Sequence, residues 1–327
     1  MDIPQQLYNI AQVLCKNTID DQELTQAIKN YEALLQSLVP IELEHRENQE
    51  DIQAKGGVAI APVWVALCIQ DLRRTQKFIK GVHQAINTVL AHKVDDTPVE
   101  ILYAGTGPFA TLVLCLLPQY TPQQIQFTLL EINEISFQAV QKVFKQLGFQ
   151  SFVRHFSQEN AVTYQIQQSP DIIVSETMLR ALEREPQVAI MLNLLPQTKP
   201  EVIMIPANIR LTLGASRLDS TTLETKRQTL DTLLEVNVQT IREYQKTQEF
   251  PRKSVQVNLS KWQNYRELNI DTHIQVFDHC EITFGQSGLT IPKKILDIAQ
   301  APMKELIFEF QYQLEPLPEL TIKTLVV

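Results

Sequence analysis

Along the first third of the chain the apolar positions recur at helical spacing. Leu24, Ile28, Tyr31, Leu35 and Leu38 fall three to four residues apart, which predicts a helix capped by Asp20 or Asp21. The charged stretch 44–55, EHRENQEDIQAK, reads as a solvated loop or helix end. GGVAIAP then leads into a second helical block over 63–90. The polar segment 93–100, KVDDTPVE, breaks the pattern, so residues 1–95 are expected to form a helical N-terminal region and cap.

From there the pattern alternates. Short apolar runs at 100–103, 127–131, 171–174 and 201–205 predict strands, and 109–117, 135–147 and 186–195 predict helices between them. Gly148 closes the middle helix as a C-terminal stop. Repeated strand and helix mean a parallel sheet covered on both faces, a Rossmann-like unit over 96–206.

Residues 207–327 change period. Ile209, Leu211 and Leu213, then Val255, Val257 and Leu259, then Phe308, Phe310, Tyr312 and Leu314 alternate with polar neighbours. Such period-2 runs predict half-buried antiparallel strands in a sandwich or barrel. One helix is expected to interrupt them over 220–246, with an apolar stripe of Leu223, Leu230, Leu234, Ile241 and Tyr244. The fold class is therefore α/β, a Rossmann-like domain between an N-terminal helical region and a C-terminal β-barrel-like domain.

Charge and composition remove several functions. A net charge of −8 argues against nucleic-acid binding, since phosphate contacts need a basic surface. No apolar run approaches the roughly 18 residues of a membrane helix. The N-terminus lacks the basic and apolar segments of a signal peptide. The four cysteines are scattered, with no metal spacing and no disulfide framework, so no metal is expected and a reducing, cytoplasmic setting is.

Glycine is scarce, 9 of 327 residues, so its positions carry weight. Gly105 and Gly107 stand in Tyr103-Ala104-Gly105-Thr106-Gly107-Pro108, directly after a predicted strand and before a predicted helix. Bare backbone and free helix N–H groups there can receive a ligand. Glu131 ends the next strand, where a carboxylate can take both hydroxyls of a ribose. The pair predicts a nucleoside-cofactor site, against the plainer alternative of a turn and a surface Glu. NAD is the rival cofactor, because Ala110 could stand for the third glycine of its fingerprint.

Ser175-Glu176-Thr177-Met178-Leu179-Arg180-Ala181-Leu182-Glu183-Arg184-Glu185 follows the third predicted strand. On one continuous helix Glu176 and Glu185 would point to opposite faces, so they converge only if the segment turns back as a loop. This segment resembles the double-Glu loop of the protein arginine methyltransferases, within the class I S-adenosylmethionine-dependent methyltransferases. Asp71-Leu72-Arg73-Arg74-Thr75 is similar to that family's Asp-x-x-Arg-Thr, and Pro206 to the point where its nucleotide fold passes to a barrel. Thr272-His273 resembles the start of its Thr-His-Trp motif, with Ile274 in place of Trp.

The resemblance implies S-adenosyl-L-methionine as cofactor. It implies Arg74 at the methionine carboxylate, Ala104, Gly105, Thr106, Gly107 and Glu131 around the nucleoside, and Asn160 and Ala161 at the adenine. Glu176 and Glu185 would clamp a guanidinium in a protein, a peptide or a small guanidine, and His273 would pair with Asp71. A helix after the first barrel strand would serve as a homodimerisation arm. The family's aromatic N-terminal motif has no counterpart in KGGVAIAPVW, Tyr103 replaces an acid, and the barrel region is short. A methyltransferase with a small, non-guanidine acceptor and a non-catalytic scaffold of the same fold are the alternatives.

Overall fold

The computed structural model describes residues 2–41, 46–218, 225–301 and 305–326. Helices α1 (Ile3–Leu14) and α2 (Asp21–Leu38) open the chain, and the Asp20 side chain caps α2 by accepting from Glu23 N at 2.8 Å. Where a loop was expected, β1 (Ile52–Ala54) and β2 (Gly57–Ala59) form an antiparallel hairpin. Helix α3 (Pro62–Leu67) and the long α4 (Leu72–His92) follow, divided at Asp71. Gly81 lets α4 approach the C-terminal sheet closely: a Cβ there would lie 2.6 Å from Val276 Cγ1.

The Rossmann-like core is a parallel sheet of β3 (Val99–Ala104), β4 (Ile125–Leu130), β5 (Val153–Ser157), β6 (Ile172–Ser175) and β7 (Ile203–Ile205). Their order is β5-β4-β3-β6-β7. The chain runs outward from β3 to β5, then returns to β3's other side with β6. That reversal opens a crevice at the carboxyl ends of β3 and β6, the usual ligand position in such sheets. Helices α5 (Thr111–Leu114), α6 (Glu134–Leu147) and α7 (Gln187–Leu194) connect the strands, and Gly148 ends α6 at φ 70°. The expected helix over 109–117 shrinks to the four residues of α5, preceded by Ala110 at φ 47°.

In the C-terminal region the period-2 runs are strands, as expected, and among the described residues they form two sheets with no closure into a barrel seen. One has the order β12-β11-β8-β9 with β13 also on β11; the other is β10-β14-β15. These strands are β8 (Asn208–Leu218), β9 (Thr225–Asn237), β10 (Lys253–Asn258), β11 (Glu267–Phe277), β12 (Cys280–Ile282), β13 (Lys293–Asp297), β14 (Glu305–Gln313) and β15 (Glu319–Val326). Between β9 and the start of β10 lies a cleft of about 740 Å³, with α8 (Val238–Thr247) along it.

The helix expected over 220–246 is corrected. Leu230 and Leu234 lie on β9, and only Ile241 and Tyr244 lie on a helix, α8; Leu223 lies outside the described residues. Strand β9 pairs antiparallel with β8 through two register shifts, at Leu211/Thr212 and Leu213/Gly214. Each shift resets which face a residue takes, so the alternation that marks a strand is lost from the sequence. Among the described residues no helix is long and apolar enough to cross a membrane, no three or more His, Cys, Asp or Glu side chains cluster to hold a metal ion, and the four cysteines are free.

Candidate cofactor and acceptor site

At the crevice lies a cavity of about 430 Å³, inside the roughly 300–1,000 Å³ range of small-molecule sites. Gly105 (φ 76°) and Gly107 (φ 61°) form its floor. A Cβ on Gly105 would lie 2.5 Å from Thr177 Cγ2, and one on Gly107 2.5 Å from Val65 Cγ1. The loop's N–H groups are already engaged. Gly105 N and Thr106 N donate to Leu130 O at 2.9 and 3.2 Å, and Gly107 N donates to Glu131 Oε2 at 2.8 Å. With α5 only one turn long, the helix-terminus argument for this loop falls away; what the glycines contribute is close approach. Ala104 is buried behind them in β3, and the Thr106 hydroxyl turns to Gly107 O at 3.0 Å.

Glu131 is buried on the cavity wall, with Oε1 accepting from Asn133 N at 2.8 Å. Burial raises its pKa, and the N–H groups of Asn133, Gly107 and Ile132 oppose the rise. The carboxylate is thus fixed in place, facing a cavity whose other walls include Val65, Ile132, Ala161, Met178 and Ile190.

The segment 175–185 is a loop, as convergence of its two acids requires. Positive φ at Ala181 (56°), Leu182 (56°) and Arg184 (63°) turns it back, and Glu176 and Glu185 both line the cavity. The β-rich region braces the turn: Ala181 N donates to Thr272 Oγ1 at 2.9 Å, Arg184 N to Pro318 O at 2.7 Å, and Tyr312 Oη to Leu182 O at 2.8 Å. The hairpin braces it from the other side, Val58 N donating to Arg184 O at 2.8 Å. Gly57 sits at φ 144° where a Cβ would meet that same carbonyl at 2.6 Å.

Arg74 is ion-paired with Glu176 Oε2, and Glu176 Oε1 is buried with no hydrogen-bond partner among the described residues. Burial disfavours the Arg74 charge, but Cys68, Asp71 and Glu185 outweigh it and raise the pKa. Burial also lifts the Glu185 carboxyl to about 7, against the lowering effect of Arg74.

His273 and Asp71 are not brought together. His273, on β11, meets Glu281 Oε2 at 3.0 Å across the β11–β12 turn and does not line the cavity. Asp71 caps α4 through Arg74 N (3.2 Å), and its Oδ2 accepts from Ser287 Oγ (2.7 Å) and Gly288 N (2.8 Å). Those partners come from the turn after β12, whose Gly288 and Leu289 line the cavity.

Asn160 lines the cavity, but its amide is turned to backbone: Val162 N donates to Oδ1 at 2.9 Å, and Nδ2 donates to Lys55 O at 3.4 Å, tying the hairpin tip down. Glu159 beside it also faces the cavity, held by Ser157 Oγ. Glu159, Cys68 and the hairpin residues Ala54–Ala59 were missed from the sequence; only the Asp71–Arg74 motif close by could have drawn attention to Cys68.

The fold has counterparts among solved structures. A PRMT6 structure with SAH superimposes at a TM-score of 0.54 with 8% identity, over 81% of this chain and 99% of that one. A second PRMT6 structure gives 0.55 with 10% identity over the same shares. The Trypanosoma brucei PRMT1 enzyme–prozyme heterotetrameric complex with AdoHcy gives 0.51 with 12% identity, over 79% and 91%. At these identities the likeness is one of fold: a Rossmann-like α/β core resembling that of class I methyltransferases. No family model and no curated protein sequence matches the chain. The cavity's own features, bare glycines on the floor, a fixed buried carboxylate at the end of β4 and an apolar wall, fit a nucleoside.

Proposed function

We propose that this chain is an S-adenosylmethionine-dependent N-methyltransferase acting on a guanidinium, in arginine of a protein or peptide, or in free arginine or a related metabolite. The observation that carries the reading is the Glu176 carboxylate. It is buried on the cavity wall, already engages a guanidinium in Arg74, and shares that wall with Glu185.

The chemistry follows from the acceptor. A guanidinium stays protonated at neutral pH, with a pKa above about 12, and its nitrogens are poor nucleophiles while the charge is delocalised. Carboxylates at two nitrogens fix the cation and draw positive charge toward themselves, leaving the third nitrogen better placed to attack. S-adenosylmethionine supplies an electrophilic methyl on a sulfonium. Glu131 holds the ribose end, Gly105 and Gly107 admit the backbone approach, and Arg74 offers its guanidinium to a carboxylate. Alignment of the two reactants then contributes much of the rate, and the fixed carboxylates stabilise the cationic transition state. Glu185, with a carboxyl near 7, is suited to take the proton released at the reacting nitrogen.

A homodimer and a cytoplasmic location belong to the same proposal. With no helical arm among the described residues, the surface offered for a second copy is the edge of β9, exposed over much of its first half. Light scattering that gives only a 37.4 kDa monomer would remove the dimer.

Glu176→Gln and Glu185→Gln test the assignment. Each keeps shape and loses charge, so S-adenosylhomocysteine binding is expected to survive while methyl transfer to guanidines falls by orders of magnitude. The double variant should lose far less than the two losses combined, because the clamp acts as a unit. Transfer to another acceptor with both variants active would retain the methyltransferase and discard the guanidinium. Cofactor binding with no transfer to any acceptor would leave a scaffold.

A further inference from the structure

We propose that Gln187 is a positioning residue for the acceptor: its side chain ties the two stems of the 175–185 loop together and so sets the gap between Glu176 and Glu185. This rests on the guanidinium reading above. Two carboxylates grip one rigid, planar guanidinium only at a spacing that lets each face its own nitrogens. Whatever fixes that spacing therefore fixes how well the acceptor is held. Arg74 holds the Glu176 side chain. The Glu185 side chain has no such partner: the charges of Arg74 and Arg184 act on it without a hydrogen bond among the described residues. Its place depends on the backbone that carries it.

Glu185 stands two residues before Gln187, the first residue of α7, and Glu176 stands directly before Thr177. The first N–H groups of a helix lack partners within it. Gln187 N donates instead to Thr177 O at 3.0 Å. The Gln187 side chain completes a ring, its Oε1 accepting from Thr177 N at 3.0 Å and from Thr177 Oγ1 at 3.2 Å. These bonds close the loop at its base, beside both acids. The braces from Thr272, Tyr312, Pro318 and Val58 hold the outer turn instead, at Ala181, Leu182 and Arg184. Gln187 is fully buried and does not line the cavity, so it acts through the two acids and not by touching a bound acceptor. Its Nε2 is buried with no hydrogen-bond partner among the described residues. An unpaired buried amide is a cost that an apolar side chain of the same length would avoid. The useful atom is the oxygen held on Thr177.

The experiment places Gln187→Met, which keeps length and loses the oxygen, in the unaltered protein and in Glu185→Gln. Gln187→Asn, one methylene shorter, carries the same test if the Met variant does not fold; unchanged S-adenosylhomocysteine affinity is the check on folding. The probe is a peptide with a single arginine. Calorimetry on the S-adenosylhomocysteine complex reads its dissociation constant, and methyl transfer reads its KM. In the unaltered protein the Gln187 substitution is expected to weaken the peptide about tenfold and raise KM by a similar factor, the scale of one or two lost hydrogen bonds. In Glu185→Gln the same substitution should cost less than about twofold, because a clamp already broken has no spacing left to lose. A merely structural glutamine would cost the same in both backgrounds. Equal losses in the two, or a loss below about twofold in the unaltered protein, overturn this inference and leave the guanidinium reading standing. An unaltered protein that neither binds nor methylates the peptide overturns both.

Discussion

The Arg74 guanidinium is ion-paired with the Glu176 carboxylate, joining the first turn of α4 to the end of β6. Glu176 is nearly sealed from solvent and Arg74 mostly so, their side chains being 2% and 15% exposed. The pair fixes Glu176 while leaving its second oxygen, Oε1, buried and without a hydrogen-bond partner among the described residues.

Removing the cation should be costly. Arg74→Ala would strand a buried carboxylate, and breaking such a pair from one side costs about 3–5 kcal/mol. Adding Glu176→Gln to that variant should recover a large part of the loss, because the stranded charge goes. Urea denaturation of the single and double variants decides it. A loss below about 1 kcal/mol in Arg74→Ala would mean that Glu176 does not depend on this partner.

Glu185 makes a prediction with a sign. Its carboxyl is raised by burial to about 7, so the folded protein holds the proton more tightly than the unfolded chain does. Stability is then highest below the ordinary glutamate pKa and falls as pH rises from about 4.5 to about 7, where the charged form is forced on the fold. Glu185→Gln escapes that penalty. It should be more stable than the parent at pH 8, by about 3 kcal/mol at most, with the difference shrinking toward pH 4.5. Denaturation curves at both pH values that differ by a constant amount would refute the shift.

Much of this site was readable before any coordinates, and the failures have physical causes. The strands predicted at 100–103 and 127–131 are β3 and β4, because fully buried parallel strands leave continuous apolar runs. Helical geometry said that Glu176 and Glu185 meet only if 175–185 turns back, and the resemblance to a double-Glu loop implied that it does. The hairpin Ile52–Ala59 was invisible, since two three-residue strands are too short to show a period. Strand β9 was misread because its register shifts scramble alternation. The partners of Asp71 were beyond reach of local pattern: Ser287 and Gly288 lie more than 200 residues away, and their contact exists only once α4 meets the turn after β12.

Cofactor recognition should pass through Glu131. S-adenosylhomocysteine is expected to raise the melting temperature, as any ligand bound only by the folded state does, and NAD to have no comparable effect. Glu131→Ala should weaken that binding by roughly 1.5–3 kcal/mol, the value of hydrogen bonds to a charged group. The variant also frees Gly107 N and Asn133 N, so its stability without ligand must be measured alongside. Calorimetry that returns the parent's dissociation constant would place the nucleoside elsewhere.

Asp71 and His273 separate two accounts of the acceptor side. The structure gives Asp71 to the α4 cap and to the turn carrying Gly288 and Leu289, and gives His273 to Glu281. His273→Ala should therefore leave methyl transfer within about twofold, since it removes only a partly exposed pair of the kind contributing about 0–1 kcal/mol. Ser287→Ala should act differently. It removes the hydroxyl that donates to Asp71 Oδ2 and also accepts from Leu289 N at 3.1 Å, loosening the turn against the cavity. The expected signature is a several-fold higher KM for the acceptor with cofactor affinity unchanged. Asp71→Asn should show the same KM effect while largely keeping the α4 cap, because Asn caps helices about as well as Asp. If His273→Ala instead abolished transfer while Ser287→Ala did nothing, the histidine would have to reach the reacting groups by a rearrangement of β11 and β12. The Asp71 clasp on the turn after β12 would then be structural only.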